Sequence, residues 1–288
     1  MKNILVLVLI IGGSTSLYSQ YFYKDIIGTR ETNQTIKLYL SNKVRLVEAT
    51  GFDAEGTKNS DFSEIQTFAG AANIWKISNR NKTTISNQYY RFDAKGALTT
   101  VTDTSSSMIS TTAYSYDDKN NPLLIKNTVT DADDSINQTE THQWFYNNEG
   151  RPVRMLRIVN NIDTTDVRFT LDEKGNVIQE WPFIKKLSRE KTYYYYDDKN
   201  RLTDIVRYNV KARRLLPDYM FEYSGNNQVI QKITTLSSSS LPYLTWRYVY
   251  NDQGLKTKEA TYIKTSGPSS KPEWTMTGKI EYSYRFAE

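Results

Sequence analysis

One short phrase returns eight times along the 288-residue chain, ending on Gly56, Gly96, Asn120, Gly150, Gly175, Asn200, Asn227 and Gly254. Gly and Asn accept a left-handed backbone most readily, so their alternation at one position marks a turn that needs positive φ. Four residues before each anchor stand Phe52, Phe92, Tyr116, Tyr146, Leu171, Tyr196, Tyr223 and Tyr250. Six residues before all but the first stand Tyr90, Tyr114, Trp144, Phe169, Tyr194, Phe221 and Tyr248. Positions two apart on an extended chain face the same way, so each copy sets two large side chains on one face of a sheet. A chain written this way is an array of β-hairpins.

The anchors are spaced 40, 24, 30, 25, 25, 27 and 27 residues apart, a regularity that signals repeat architecture. Turns such as Asp93-Ala94-Lys95-Gly96 and Asp197-Asp198-Lys199-Asn200 suit a type I turn closed by a bulge. The wide first gap leaves room for a degenerate copy around Trp75-Lys76-Ile77. The returning strands alternate poorly, as in Leu202, Ile205 and Val206, so register across the turn stays open. Connecting segments at Ser105–Ser107, Asp131–Asn137, Ser237–Ser240 and Gly267–Pro272 are polar and uneven, as expected on one rim of an array. Ile36–Leu40 and Val44–Val47 read as a further hairpin, and Ile280–Phe286 as a closing strand. The most helix-tolerant stretch is Asp61–Ala72. The fold class is therefore all-β, an antiparallel hairpin-repeat array forming one curled, twisted sheet or open spiral, with residues 21–288 as a single domain.

Met1-Lys2-Asn3, the apolar run Ile4–Ile11 and the small and polar residues up to Gln20 have the order of a secretory leader. The run falls short of the roughly 18 apolar residues that a membrane helix requires. Cleavage after Ser19 or Gln20 suits it. The chain has no Cys, which removes disulfides, thiolate metal sites and a lipidated Cys anchor. A net charge of +5 spread along the chain supports neither nucleic-acid binding nor membrane attachment. The outlier is Tyr, at 22 residues, which suits half-buried strands.

Tyr194-Tyr195-Tyr196-Asp197-Asp198-Lys199-Asn200-Arg201-Leu202 and Tyr146-Asn147-Asn148-Glu149-Gly150-Arg151 resemble the tyrosine–aspartate (YD, or RHS-type) repeats of exported bacterial proteins. Tyr248–Gly254 and Tyr114–Asn120 match the first half of that pattern, and the resemblance covers roughly residues 88–262. It implies hairpin strips curling into a spiralled sheet, and roles in carbohydrate binding or as shells around toxins. Eight copies are too few to enclose a large cavity as the shell-forming members do. Gln88–Leu98 is similar, in second place, to the aromatic repeats of choline- and glucan-binding modules, but no Gly-Trp pair occurs.

Little here reads as catalysis. Asp117-Asp118, Asp133-Asp134 and Asp197-Asp198 are adjacent carboxylates, but neighbours on strands point to opposite faces, and Asp in a turn satisfies backbone donors. His142, the lone His, shares the aromatic face of Trp144 and lacks a nucleophile motif. No phosphate-binding loop appears, and no cofactor or metal is implied. The aromatic rows either form the core or offer platforms to a sugar ring or a protein, and Tyr193, Tyr195 and Tyr208 fall on the opposite, exposed face. Lys211, Arg213 and Arg214 read as solvated. Asp134-Ser135-Ile136 and Asp163-Thr164-Thr165 resemble an O-glycan acceptor pattern of Bacteroidetes-type exported proteins. The functional expectation is a non-catalytic protein in the periplasm, at the cell surface or outside the cell, binding carbohydrate or an envelope protein. The alternatives are a structural component of the envelope, a toxin-associated shell and, last, a hydrolase.

Overall fold

A computed structural model describes residues 21–69, 73–105, 108–131, 137–235, 243–265 and 273–288. One helix, α1 (Lys24–Ser41), precedes the strands β1 (Val44–Phe52), β2 (Lys58–Ala69), β3 (Ile74–Asn81), β4 (Thr84–Phe92), β5 (Leu98–Ser105) and β6 (Met108–Tyr116). Then come β7 (Pro122–Asp131), β8 (Asn137–Tyr146), β9 (Pro152–Val159), β10 (Asp163–Leu171), β11 (Val177–Ile184), β12 (Leu187–Ser188) and β13 (Thr192–Tyr196). The last are β14 (Leu202–Asn209), β15 (Arg214–Tyr223), β16 (Val229–Thr235), β17 (Tyr243–Tyr250), β18 (Lys256–Thr265) and β19 (Glu273–Phe286). Asp61–Ala69, expected to tolerate helix, lies in β2, where Phe62 and Gln66 alternate inward with exposed neighbours. Ile36–Leu40, expected as strand, lies in α1. The leader and the cores of the long polar connections fall outside the described residues.

Sequence neighbours pair antiparallel except β12 and β13, which both pair with β11, and β1 also pairs with β19 through Val47↔Tyr284 and Ala49↔Tyr282. The sheet is thus a closed barrel and not an open spiral. β12 and β13 follow one another along β11, so the ring has 18 strand positions. Closure joins the first strand to the last and so removes the two terminal edges that a hairpin array would otherwise expose to edge-to-edge association.

All eight anchors have positive φ, from 58° at Asn200 to 85° at Gly56. In the copies from Asp93 onward, the residue three before the anchor takes two backbone amides on one side-chain oxygen. Asp197 Oδ1, for example, accepts from Lys199 and Arg201 at 3.0 Å each. The Arg201 side chain and these amides hold the Asp197 carboxyl below its ordinary range. Asp117-Asp118 and Asp197-Asp198 are turn chemistry, Asp133-Asp134 lies outside the described residues, and the register slips once at each of these turns, as a bulge requires.

Strand direction corrects the first copy. The turns after β4, β6, β8, β10, β13, β15 and β17 share one rim, whereas Gly56, after β1, lies on the other. The turn after β2 stands on the shared rim, and its Asn73 has φ 48°. Asn73 lies 23 residues before Gly96, in the wide gap, but β2 and β3 pair there without the register slip of the other copies.

The aromatic pairs point into the lumen. From one copy to the next, the Tyr four before the anchor donates its hydroxyl to the carbonyl two after the preceding anchor. Tyr116 reaches Leu98 at 2.5 Å, Tyr146 Pro122 at 2.7 Å and Tyr196 Val177 at 2.9 Å. Tyr223 reaches Leu202 at 2.7 Å, Tyr250 Val229 at 2.8 Å and Tyr284 Lys256 at 2.7 Å. This explains why Tyr, and not Phe, recurs there: the ring fills the lumen while the hydroxyl satisfies a bulge carbonyl.

Helix α1 fills that lumen. Eighteen residues at 1.5 Å each reach about 27 Å, enough to cross between walls. At its start Tyr21 packs on Tyr194 and Tyr219, with ring centroids at 6.5 and 5.6 Å. Near its end Tyr39 packs on Trp75 and Tyr284, at 5.6 and 6.1 Å, on the opposite side of the ring. Between them Asn33 accepts the Leu98 amide at 3.1 Å, and Ile36 is fully buried with Trp75, Ile77, Phe92 and Leu98. A helix touched from several sides has no single apolar stripe, which is why its sequence does not announce it.

Candidate functional site

Two places concentrate chemistry: the inner wall where α1 begins, and an aromatic row on the outer wall. Inside, the side chain of Glu180 on β11 is fully buried. Its Oε2 accepts the Phe22 amide at 2.8 Å, the Tyr23 amide at 2.9 Å and the Tyr194 hydroxyl at 2.8 Å. Tyr23, the residue at the helix cap, makes no side-chain cap bond of its own. Glu180 therefore caps α1 from the barrel wall, placing negative charge at the positive end of the helix dipole. Burial raises its carboxyl to about 7, against the lowering effect of these three donors.

His142 on β8 is buried edge-on against Phe22, whose amide Glu180 accepts. Its Nδ1 is 2.5 Å from Asp25 of α1, and its Nε2 is 2.8 Å from Glu140. Arg157 completes the row, 2.6 Å from the second oxygen of Glu140. Burial alone lowers the His142 pKa, but Asp25 and Glu140 outweigh it and raise the value to about 9. Glu140 is likewise opposed by its own burial, yet bonds to His142 and Arg157 bring it down to about 2. With both ring nitrogens donating to carboxylates, the imidazolium has no lone pair for a metal or for general-base work. Among the described residues no group of three or more His, Asp or Glu is arranged to hold a metal ion.

Outside, alternation sends the residues between the inward rings to solvent. Phe145, Arg154, Arg168 and Trp181 are direct cross-strand partners on β8, β9, β10 and β11. The Arg154 guanidinium lies 5.6 Å from the Phe145 ring, and that of Arg168 lies 4.8 Å from Phe183. Lys191 Nζ sits 4.0 Å from the Trp181 ring, and the Trp181 and Phe183 ring centroids are 4.6 Å apart. Arg154 also pairs with Asp166 at 2.8 Å. Gln179 leads on to Tyr193, which is partly exposed opposite Val206. Tyr195 and Tyr208 are each 47% exposed on the same face.

The three tyrosines singled out in the sequence thus all reach the outer wall, at the end of a longer row. Phe145, Arg154, Arg168, Trp181, Phe183 and Lys191 were missed. Parity held the signal for three of them, because Phe145 stands between inward Trp144 and Tyr146, and Trp181 and Phe183 follow inward Glu180. Lys211, Arg213 and Arg214 are exposed, as read. Thr164 of the second O-glycan pattern is exposed at the start of β10, and the first pattern lies outside the described residues, Ile136 included.

No family model matches the chain, and no curated protein matches it. Among solved structures it is similar to a porin-like protein from Bacteroides uniformis, at 10% identity and a TM-score of 0.40, over 84% of this chain and 98% of that one. It is also similar to the Photorhabdus luminescens Tc holotoxin pore, at 14% identity and a TM-score of 0.34, over 81% of this chain and 13% of that one. A TcdB2–TccC3 complex with Cdc42 matches at 11% identity and a TM-score of 0.26, over 80% of this chain and 16% of that one.

Proposed function

We propose that the protein is exported, non-catalytic and a binder of carbohydrate through its outer aromatic row. The observation that carries this reading is the registered row Phe145–Arg154–Arg168–Trp181, continued by Tyr193, Tyr195 and Tyr208 on a wall otherwise rich in Thr and charge. Flat rings stack on the apolar face of a sugar, while neighbouring Arg, Lys, Gln and Asp offer hydrogen bonds. The cations Arg154, Arg168 and Lys191 favour sugars bearing acidic groups. Export follows from the leader read in residues 1–20, and the place of action is the envelope or the space outside it. The turn-and-ring unit is the feature shared with YD-type repeats.

Two neighbouring readings fit less well. A lipid-spanning barrel needs an outward apolar band, and each Arg or Lys at its midplane costs about 2–4 kcal/mol. Arg154 and Arg168 are exposed on consecutive strands of this wall, and Lys126 is exposed on β7. A shell around a toxin needs an empty interior, and α1 occupies this one.

The test is a glycan array followed by titration of the hits under tryptophan fluorescence. Binding that is lost in Trp181→Ala and weakened at least tenfold in Tyr195→Ala supports the reading. Binding unchanged in both variants, or no glycan bound at all, ends it and leaves a protein partner as the next candidate.

A further inference from the structure

One carboxyl oxygen of Glu180 is left unanswered by its partners. All three donors converge on Oε2, while Oε1 is buried without a hydrogen-bond partner. Among the described residues no Lys or Arg is bonded to this carboxylate, and Asp25 on the plug adds like charge. A buried carboxylate oxygen left unpaired is costly, so a site of this kind calls for a cation. The bond to Phe22 fixes where Tyr21 lies. Tyr21 is one residue, about 3.8 Å of Cα spacing, from a residue already bound to Glu180, and its ring is held between Tyr194 and Tyr219. The leader read from the sequence ends at this point.

We propose that the missing cation is the α-ammonium of the processed chain, created when the leader is removed at Tyr21 or one residue ahead of it. Peptide hydrolysis there releases the leader as a carboxylate and leaves a new amine, protonated at neutral pH, beside Oε1. Removal of the leader then completes the junction between plug and wall, so that the processed chain closes a barrel the precursor holds less firmly. The lone oxygen supports this independently of the helix terminus, because three donors already satisfy Oε2 and none addresses Oε1. This inference rests on the export reading above.

The experiment is competitive acylation of the α-amine in protein purified from the exported fraction, with the start residue identified by mass spectrometry. The expected result is a chain beginning at Gln20 or Tyr21 whose α-amine labels at least tenfold more slowly in the folded barrel than in urea. In Glu180→Gln the folded-state rate should rise to within twofold of the urea rate, with near-ultraviolet circular dichroism confirming that the rings remain packed. If Glu180→Gln does not fold, the wild-type protection ratio alone decides. A chain that retains the leader removes the export reading and this inference together. A chain processed at the stated place whose amine labels freely, or carries a cyclised Gln20, removes the inference and leaves export standing.

Discussion

Glu180 accepts the amide of Phe22 across 158 positions of sequence, at 2.8 Å, and so ties the start of the plug to the middle of the wall. Glu180→Ala would leave the Phe22 and Tyr23 amides and the Tyr194 hydroxyl without an acceptor. Breaking one side of a buried charged network costs about 3–5 kcal/mol. Urea unfolding should show a loss of that order, and a loss under 1 kcal/mol would mean that α1 is held by packing alone.

The Asp25–His142–Glu140–Arg157 row predicts a pH dependence with a defined sign. His142 titrates at about 9 in the folded state against an ordinary 6.5, so its contribution is complete below 6.5 and is lost as pH rises through 9. Glu140 titrates at about 2 against 4.5, so its contribution is complete above 4.5 and is lost as pH falls toward 2. The urea midpoint should therefore peak between about 4.5 and 6.5 from these two groups. His142→Gln should lower the peak and flatten its alkaline side. A wild-type midpoint that is constant from pH 6.5 to 9 would contradict the imidazolium assignment.

The tyrosine hydroxyls are predicted to act as separate staples between repeats. Tyr146→Phe and Tyr250→Phe keep the ring and delete one hydrogen bond each, to Pro122 and Val229, which costs about 1 kcal/mol per site. The sites are far enough apart in the ladder that the double variant should lose the sum. Thermal or urea unfolding of the three variants reads this directly.

The anchors separate conformational need from crowding. Asn200, at φ 58°, should tolerate Gly within about 0.5 kcal/mol and lose about 1–2 kcal/mol on change to Ala. Gly175→Ala should cost more than Asn200→Ala. Besides φ 80°, a Cβ there would stand 2.7 Å from Nε of Arg151, so a side chain must move as well.

Much of the wall was legible because its rules are local. Asn120 and Gly96 share a turn need, and the spacing from Tyr114 to Tyr116 sets a common face. Closure was not legible, because Val47 and Tyr284 lie 237 residues apart and nothing near either residue specifies the other. The plug was hidden for a different reason. Lys24–Ser41 carries Gly28 and three threonines, has no cap of its own, and is stabilised by Glu180, Trp75 and Leu98 from three places in the chain. Asn73 escaped notice because no Tyr stands upstream of it, and Phe92 has no hydroxyl to donate back to its turn. The outer row was readable in principle by parity, yet its cations Arg154 and Arg168 gain meaning only from a register no single strand specifies.

The central claim is that this repeat array closes on itself around α1. The absence of Cys makes a direct test simple. Glu48 of β1 and Ser283 of β19 are cross-strand partners, at a separation compatible with a disulfide. In Glu48→Cys/Ser283→Cys, mild oxidation should produce an intramolecular crosslink in nearly all folded molecules, seen as a reducible mobility shift. Neither single variant should show it. Free thiols in the folded double variant, or crosslinks formed only between molecules, would mean that β1 and β19 are open edges and that the barrel does not exist.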